Sequence, residues 1–207
     1  MKFFSLVLPA LAAAAPATNV VFGGNAPDPS QVQIEGVSYG GSGCPQGSVA
    51  SIISDDRTTM TLIFDSYIAS IGPGVAITEN RKNCQLNINI HYPPGFQYSI
   101  FSADYRGYAG LDAGVTGTQK STYYFSGQTN QVSTESDLVG PMDQDYLFHD
   151  VAKSTSVVWS PCGAEGLLNI NSQVRVASNN RQANGELTTD SIDTKFTQVL
   201  YFNWQKC

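Results

Sequence analysis

The chain has 207 residues, a formal net charge of −6 at pH 7 and only 14% charged residues. That charged fraction is well below the ~25% usual for soluble domains. An aromatic content of 11% excludes a globally disordered acidic chain. The eleven basic residues are scattered, which argues against nucleic acid or an anionic membrane as the main partner.

The first 17 residues, MKFFSLVLPALAAAAPA, have the features of a secretory signal peptide. Lys2 precedes an apolar run that is too short to span a bilayer, and the small residues that follow predict cleavage after Ala17. The alternative is an N-terminal membrane anchor. We therefore predict a secreted protein, located in the extracellular medium or the cell wall.

Secretion predicts that the cysteines form disulfides, because disulfides persist in oxidising compartments. The chain contains four: Cys44, Cys84, Cys162 and Cys207. Three pairings are possible. We favour the sequential one, in which each bond closes a loop of about 40 residues and contributes roughly 4 kcal/mol. A zinc site is the alternative, but no pair has CxxC spacing and both histidines are distant in sequence.

The dominant hydrophobic period is two, which is typical of half-buried antiparallel strands. Val32, Ile34 and Val37 predict a first strand with a bulge at Gly36. The clearest alternation covers residues 85–92. Further strands are predicted at Met60–Phe64, Gln97–Ala103, Ser121–Ser126, Asp145–His149, Ser156–Trp159, Leu168–Val176 and Phe196–Trp204.

Turn signals separate these strands, and Asn184-Gly185 is typical of a hairpin tip or tight turn. Many short strands at roughly ten-residue spacing favour a sandwich or barrel. We predict an all-β fold, a single antiparallel β-sandwich with jelly-roll-like connections and two disulfides. Residues 18–30 are predicted to lead into this domain, which covers residues 31–207.

Five short motifs occur together in a fixed order. They are Gly41-Ser42-Gly43-Cys44-Pro45, Asn83-Cys84-Gln85-Leu86, Tyr105-Arg106-Gly107-Tyr108, Trp159-Ser160-Pro161-Cys162-Gly163 and Leu168-Asn169-Ile170. Together they resemble the secreted, mainly fungal domain-of-unknown-function family 4360, over about residues 28–207. The resemblance implies a small exported protein with paired cysteines and assigns no catalytic residue.

Signatures of catalysis are scarce in this sequence. It has no Gly-x-Ser-x-Gly, His-Glu-x-x-His, phosphate loop or dinucleotide fingerprint. His91 and His149 are the two histidines; the simpler interpretation is a solvent-exposed or hydrogen-bonded surface residue for His91 and a structural role for His149. A glycosidase would need two carboxylates in a cleft. Glu35 is one candidate, but the sequence names no partner for it. The prediction therefore leans against an enzyme and assigns no catalytic residue and no cofactor.

A calcium site is a metal hypothesis that does not involve the cysteines. Asp143-Gln144-Asp145 is expected to place two carboxylates on one side of an extended loop, and hard oxygen ligands suit Ca²⁺. The match to a 12-residue calcium loop is poor. A solvated acidic loop is therefore the simpler interpretation.

Tyrosines and amides offer a binding hypothesis. Exposed tyrosine rings stack on sugars while amides bind hydroxyls, although tyrosines at a core edge are the simpler interpretation. The candidate ligand-binding residues are Tyr105, Arg106, Tyr108, Asn87, Asn89 and His91. The leading hypothesis is a monomeric, non-catalytic carbohydrate-binding or matrix module whose partner is a polysaccharide. The alternatives are a secreted elicitor or effector that binds a host or cell-surface component, and a carboxylate-dependent polysaccharide hydrolase or lyase.

Overall fold

The structure, a computed structural model, describes residues 25–152, 157–163, 165–188 and 196–207. Within these ranges two antiparallel sheets enclose one hydrophobic core. The signal peptide predicted at residues 1–17 lies outside the described residues, as do positions 18–24 of the predicted lead-in. The helices that are described are all too short to cross a membrane.

One sheet has five strands. They are Gln33–Gly40 (β1), Arg81–His91 (β5), Val115–Phe125 (β7), Gln131–Val139 (β8) and Glu165–Ser178 (β10). Their spatial order is β1–β5–β10–β7–β8. The central strand β10 therefore lies between β5 and β7, and β1 and β8 form the two edges.

The second sheet has seven strands. They are Val49–Ile53 (β2), Thr59–Phe64 (β3), Ala69–Ile71 (β4), Phe96–Leu111 (β6), Met142–Val151 (β9), Gly185–Thr188 (β11) and Phe196–Lys206 (β12). Strand β6 pairs with β12 and β11 along one edge and with β9 along the other. Two 3-10 helices, Pro29–Gln31 and Ile77–Asn80, complete the described elements. The chain passes repeatedly between the sheets, as jelly-roll connections do.

The alternating pattern decides which side chains are buried. Leu86, Ile88 and Ile90 of β5 have no exposed surface, whereas Asn87 and Asn89 between them are half-buried. Successive side chains of a strand point to opposite faces, so one face of β5 packs in the core and the other is polar. The predicted all-β sandwich is confirmed.

An aromatic cluster fills one end of the core. The fully buried ring of Tyr98 makes edge contacts with Tyr92 and Phe125, at centroid distances of 5.4 and 5.1 Å, and a tilted contact with Trp204. Aromatic pairs in these geometries stabilise by about 1 kcal/mol beyond the area they bury. The Tyr92 hydroxyl donates to the carbonyl of Pro161 at 2.6 Å, which joins this cluster to the segment before β10.

Both disulfides have the predicted pairing. Cys44 is bonded to Cys84, and Cys162 is bonded to Cys207. The first bond joins the loop after β1 to β5 within one sheet. The second joins the segment before β10 to the end of the chain after β12, and therefore connects the two sheets.

The predicted bulge in the first strand is confirmed. The register of β1 against β5 passes from Ile34 opposite Ile90 directly to Gly36 opposite Asn89. Glu35 is therefore the extra residue of the bulge, with no partner of its own on β5.

Three local predictions need correction. Residues 157–159 form no strand: Trp159 makes an isolated bridge to Ser99, and the Ser160 N–H donates to the Tyr98 carbonyl. Ser156 lies outside the described residues. Asn184-Gly185 is not a hairpin tip, because its second residue begins β11. Residues 143–145 lie within β9 rather than in a loop.

Candidate functional site

The outer face of the five-stranded sheet carries a row of carboxamides. We call it the amide face and define it by Gln85, Asn87 and Asn89 of β5 and Asn171 and Gln173 of β10. These positions alternate with buried residues, which are apolar except for Ser172, so all five side chains lie on the solvent side of the two strands. The polar face predicted from the sequence is therefore present.

Hydrogen bonds between neighbouring side chains hold the amides in place. Asn171 Nδ2 donates to Gln85 Oε1 at 3.1 Å, and Gln85 Nε2 donates to Asn87 Oδ1 at 3.3 Å. Asn89 Nδ2 donates to Glu35 Oε2 at 3.0 Å. Each amide has two N–H donors and an oxygen with two lone pairs, so each keeps unused capacity for a ligand.

Glycines leave open space beside this row. Gly36 lies opposite Asn89 and Gly40 lies opposite Gln85 on the edge strand β1. A methyl group placed on either glycine would meet no atom within 4 Å. The edge beside the amides is therefore a shelf of backbone at Gly36 and Gly40, with the exposed Ser38 side chain between them. A ligand has room to approach Asn89 and Gln85 from the side.

An aromatic ring lies on the same side of the sheet. Tyr124 of β7 is half-buried, while its neighbours Tyr123 and Phe125 face the core. Tyr124 is opposite Asn169 of β10. Asn169 is itself 5% exposed and donates to Ser126 Oγ at 2.9 Å. The ring of Tyr124 therefore lies on β7, the strand next to β10, and borders the amide face on that side.

Two carboxylates and an imidazole converge at one end of this face. His91 is the last residue of β5, Glu165 is directly opposite on β10, and Glu35 is the bulged residue of β1. One ligand atom from each of the three side chains lies within 4.8 Å of the other two. The distance between His91 Nδ1 and Glu35 Oε1 is 3.9 Å. We call this group the Glu–His–Glu cluster.

The six predicted ligand-binding residues are not brought together. Asn87, Asn89 and His91 share the outer face of the five-stranded sheet. The other three belong to β6 in the second sheet. Tyr105 lies in the core with no exposed surface, and its hydroxyl is within 2.5 Å of the Tyr123 hydroxyl.

Arg106 and Tyr108 are one and three positions after the buried Tyr105, so their side chains point to the opposite side of β6. They therefore lie on the outer face of the seven-stranded sheet. Arg106 is exposed, and the Tyr108 hydroxyl donates to Asp143. That hydrogen bond raises the pKa of Tyr108, because it stabilises the protonated phenol.

The carboxylates predicted to bind calcium also lie on this second face. Asp143 and Asp145 occupy alternate positions of β9, opposite Gly110 and Tyr108. A depression of about 560 Å³ beside them is lined by Tyr108, Asp143 and the loop that contains Asp112. Calcium binding here stays a prediction, which a calcium titration after chelator treatment would test through the melting temperature.

The second histidine has a different environment. His149 Nδ1 donates to Asp104 Oδ1, and the Tyr201 hydroxyl donates to Asp104 Oδ2 at 2.8 Å. These three residues lie on β9, β6 and β12 of the seven-stranded sheet. The hydrogen bond to Asp104 raises the pKa of Tyr201. Both carboxylate oxygens of Asp104 are thus occupied by hydrogen-bond donors from the neighbouring strands.

Sequence reasoning missed Glu165 and the contribution of the glycines. Glu165 is 74 positions from His91, so only the register of β10 against β5 joins them. The bulge signal at Gly36 was visible in the sequence, but its effect on Glu35 depends on the side chain that the partner strand presents.

Comparison with known proteins identifies a family and a close relative. The model of the family described as a domain of unknown function (DUF4360) matches residues 30–207. An "Uncharacterized secreted protein" of Arthroderma benhamiae is 65% identical over 185 residues, which cover 89% of this chain and 76% of the relative.

Two solved structures show weak likeness. One is TmCBM61 in complex with β-1,4-galactotriose, with 10% identity, 84% of this chain and 90% of that chain covered, and a TM-score of 0.24. The other is the enzymatically active domain of tailspike protein 4 from bacteriophage CBA120, with 15% identity, 87% of this chain and 20% of that chain covered, and a TM-score of 0.22. TM-scores this low do not establish a shared fold.

Proposed function

The chain belongs to the DUF4360 family, and from that premise we propose that it is a secreted, non-catalytic module that binds a neutral polysaccharide through the amide face. Secretion is supported by the signal-peptide pattern of residues 1–17 and by the relative of 65% identity, a secreted protein. The observation that carries the binding proposal is the row of linked amides beside an open glycine shelf.

The chemistry of the amide face fits sugar hydroxyls. Every sugar hydroxyl donates one hydrogen bond and accepts others, and a carboxamide offers both functions on one side chain. The hydrogen bond from Asn171 to Gln85 reduces the rotamer freedom of both side chains before a ligand arrives. Less side-chain entropy is then lost on binding, which is the general advantage of a preorganised site.

Tyr124 supplies the apolar part of such a site. A half-buried tyrosine can contact a sugar ring with its face while its hydroxyl stays in water. The surface is the outer face of one continuous sheet, which suits an extended chain better than a single enclosed sugar.

A pull-down on insoluble chitin, β-glucan, cellulose and xylan tests the proposal. We expect the wild-type protein to sediment with at least one of them. Calorimetry with the matching soluble oligosaccharide should then show a loss of about tenfold in affinity for Tyr124→Ala, since truncation of a buried aromatic anchor typically costs more than 1 kcal/mol. The double variant Asn87→Ala/Asn171→Ala should lose a similar factor.

Two matched controls lie on the other sheet. Tyr108→Ala removes a tyrosine and Asn203→Ala removes an exposed amide, and both should bind like the wild type. Absence of the wild-type protein from every pellet would contradict polysaccharide binding. Loss of binding in Tyr108→Ala with retention in Tyr124→Ala would assign the site to the other face. Release of reducing ends or unsaturated products from the same polysaccharides would overturn the non-catalytic assignment.

A further inference from the structure

Beyond polysaccharide binding, we propose that the Glu–His–Glu cluster is a binding site for a divalent transition-metal ion of the zinc class. The three donors come from three adjacent strands, β1, β5 and β10, and lie within 4.8 Å of one another. Among the described residues this is the one group of three or more His, Cys, Asp or Glu side chains close enough to share an ion.

The distances are close to those of a metal-bound set. Two ligands at about 2.1 Å from a tetrahedral zinc ion are about 3.4 Å apart. His91 Nδ1 and Glu35 Oε1 are 3.9 Å apart, too far for a hydrogen bond and within half an ångström of that separation. Small rotations of two glutamate side chains, both exposed at the surface, are enough to close the remaining gaps.

The hydrogen bonds of the cluster leave its potential metal-ligating atoms without partners. Nδ1 of His91 is shielded from solvent and has no hydrogen-bond partner within the described ranges. Glu35 uses Oε2 to accept from Asn89 and keeps Oε1 for another partner. The carboxylate of Glu165 has no hydrogen bond or ion pair with the described part of the chain, although its backbone pairs with His91. A shielded, unpaired imidazole nitrogen is costly unless a cation or a donor satisfies it.

The charge of the cluster also favours a cation. Two carboxylates and one imidazole carry a net charge of −2 when the ring is neutral, and like charges this close repel each other. Among the ion pairs of the described residues, no lysine or arginine neutralises Glu35 or Glu165. A divalent ion would balance both carboxylates.

The donor set selects the class of metal. Imidazole nitrogen suits zinc, copper, iron and nickel, whereas calcium and magnesium take oxygen ligands almost exclusively. Three protein ligands leave at least one coordination position for water or a ligand hydroxyl, as in open zinc sites. Asn89 has the role of an outer-shell group here, because its hydrogen bond orients the carboxylate of Glu35.

Calorimetry with metal chloride alone tests the site, with no polysaccharide present, so failure of the metal site and failure of the proposed function are separate results. The full secreted chain is treated with chelator, desalted and titrated with Zn²⁺ and, separately, with Ca²⁺. We expect one zinc ion per chain and much weaker calcium binding. His91→Ala and Glu165→Gln should each reduce zinc affinity by more than about 100-fold, since loss of an outer-shell partner alone costs 10–100-fold.

Asn89→Ala should reduce zinc affinity by about 10–100-fold, as expected for an outer-shell group. His149→Ala is the matched control, because it removes the other histidine with a carboxylate neighbour, on the opposite sheet. Its zinc affinity should stay within about twofold of the wild type, as is usual for independent sites.

A second readout keeps the test valid if one variant folds poorly. Zinc should raise the melting temperature of the wild type and of His149→Ala but not of Glu165→Gln, which removes one charge at an exposed position without changing side-chain size. Absence of zinc binding to the wild type overturns the proposal. So does zinc binding that survives His91→Ala, or calcium binding as tight as zinc binding.

Discussion

The two histidines of the protein lie on the outer faces of opposite sheets, and each has a carboxylate beside it. At His149 both carboxylate oxygens of Asp104 have a partner, because one accepts from the imidazole and the other from Tyr201. At His91 the Oε1 atom of Glu35 is 3.9 Å from Nδ1, and Nδ1 has no hydrogen-bond partner in the part of the chain that the structure describes. The side chains around His149 are therefore hydrogen-bonded to one another, whereas those around His91 keep atoms that can bind a ligand or a metal ion.

The difference teaches that the surroundings of a residue, and not its type, decide what it can do. Polar groups paired within a protein contribute to stability, whereas unpaired ones are available to a ligand. The face around Asp104 should therefore matter more for stability, and the face around His91 more for binding. Changes in the shared interior, and then in each face, test this division.

The largest effect is expected in the interior that both faces share. A methyl group at Gly43 would lie 1.9 Å from Cδ2 of Tyr67, whose ring is fully buried and stacked on Phe64. Gly43→Ala should lower the free energy of unfolding by about 3 kcal/mol, at the upper end of overpacking effects. Urea unfolding followed by tryptophan fluorescence measures it.

Gly36→Ala is the control for this prediction. It adds the same methyl group on the amide face, where it meets no atom within 4 Å, and should change stability by less than about 0.5 kcal/mol. Equal stability of Gly43→Ala and Gly36→Ala would show that the Tyr67 ring does not pack tightly against Gly43.

The next effect separates the two faces. Asp104 is 15% exposed and accepts two hydrogen bonds, so Asp104→Ala should cost about 1–2 kcal/mol of stability after allowing for donors that can turn to water. Glu35→Gln should cost less than about 0.5 kcal/mol, because an amide oxygen can still accept from Asn89 and repulsion with Glu165 is removed.

The same urea unfolding measures both variants. Equal losses in Asp104→Ala and Glu35→Gln would mean that both histidine sites are structural. This outcome would contradict the hypothesis that one outer face stabilises the fold and the other binds a ligand.

The sequence predicted the fold well where one face of a strand is apolar. Residues 85–92 alternate without a break, and this period is the signature of β5. Strand β8 was missed because Val132 and Leu138 are its only buried hydrophobic residues. The inward positions between them are the polar residues Thr134 and Ser136, so the strand has no clear hydrophobic period.

The candidate site was less predictable, because it depends on pairing between distant strands. Tyr108 shares one face of β6 with the charged residues Asp104 and Arg106, so the local alternation favours Tyr105 as the buried tyrosine. The hydroxyl of the buried Tyr105 is hydrogen-bonded to Tyr123 and Thr134. No local pattern identifies these two partners, because they lie on other strands.

The smallest effect is expected on the face around Asp104, where the stabilisation by Tyr201 should decrease at alkaline pH. The hydrogen bond to Asp104 raises the pKa of Tyr201 above its ordinary value of about 10. A tyrosine whose pKa is raised by folding contributes stability that is complete below pH 10, and this stability is lost as the pH rises through the folded pKa. The melting-temperature gap between wild type and Tyr201→Phe should therefore be constant from pH 7 to about 9 and should narrow above pH 10.

Removal of the carboxylate identifies the cause of that narrowing. In an Asp104→Asn background, Tyr201 no longer donates to an anion, so the gap produced by Tyr201→Phe should not depend on pH in this way. Burial also raises the pKa values of Tyr98 and Tyr123, and their alkaline destabilisation is common to all four proteins. It therefore cancels in the comparison. A gap that narrows equally in both backgrounds would show that the Tyr201–Asp104 hydrogen bond does not stabilise this face.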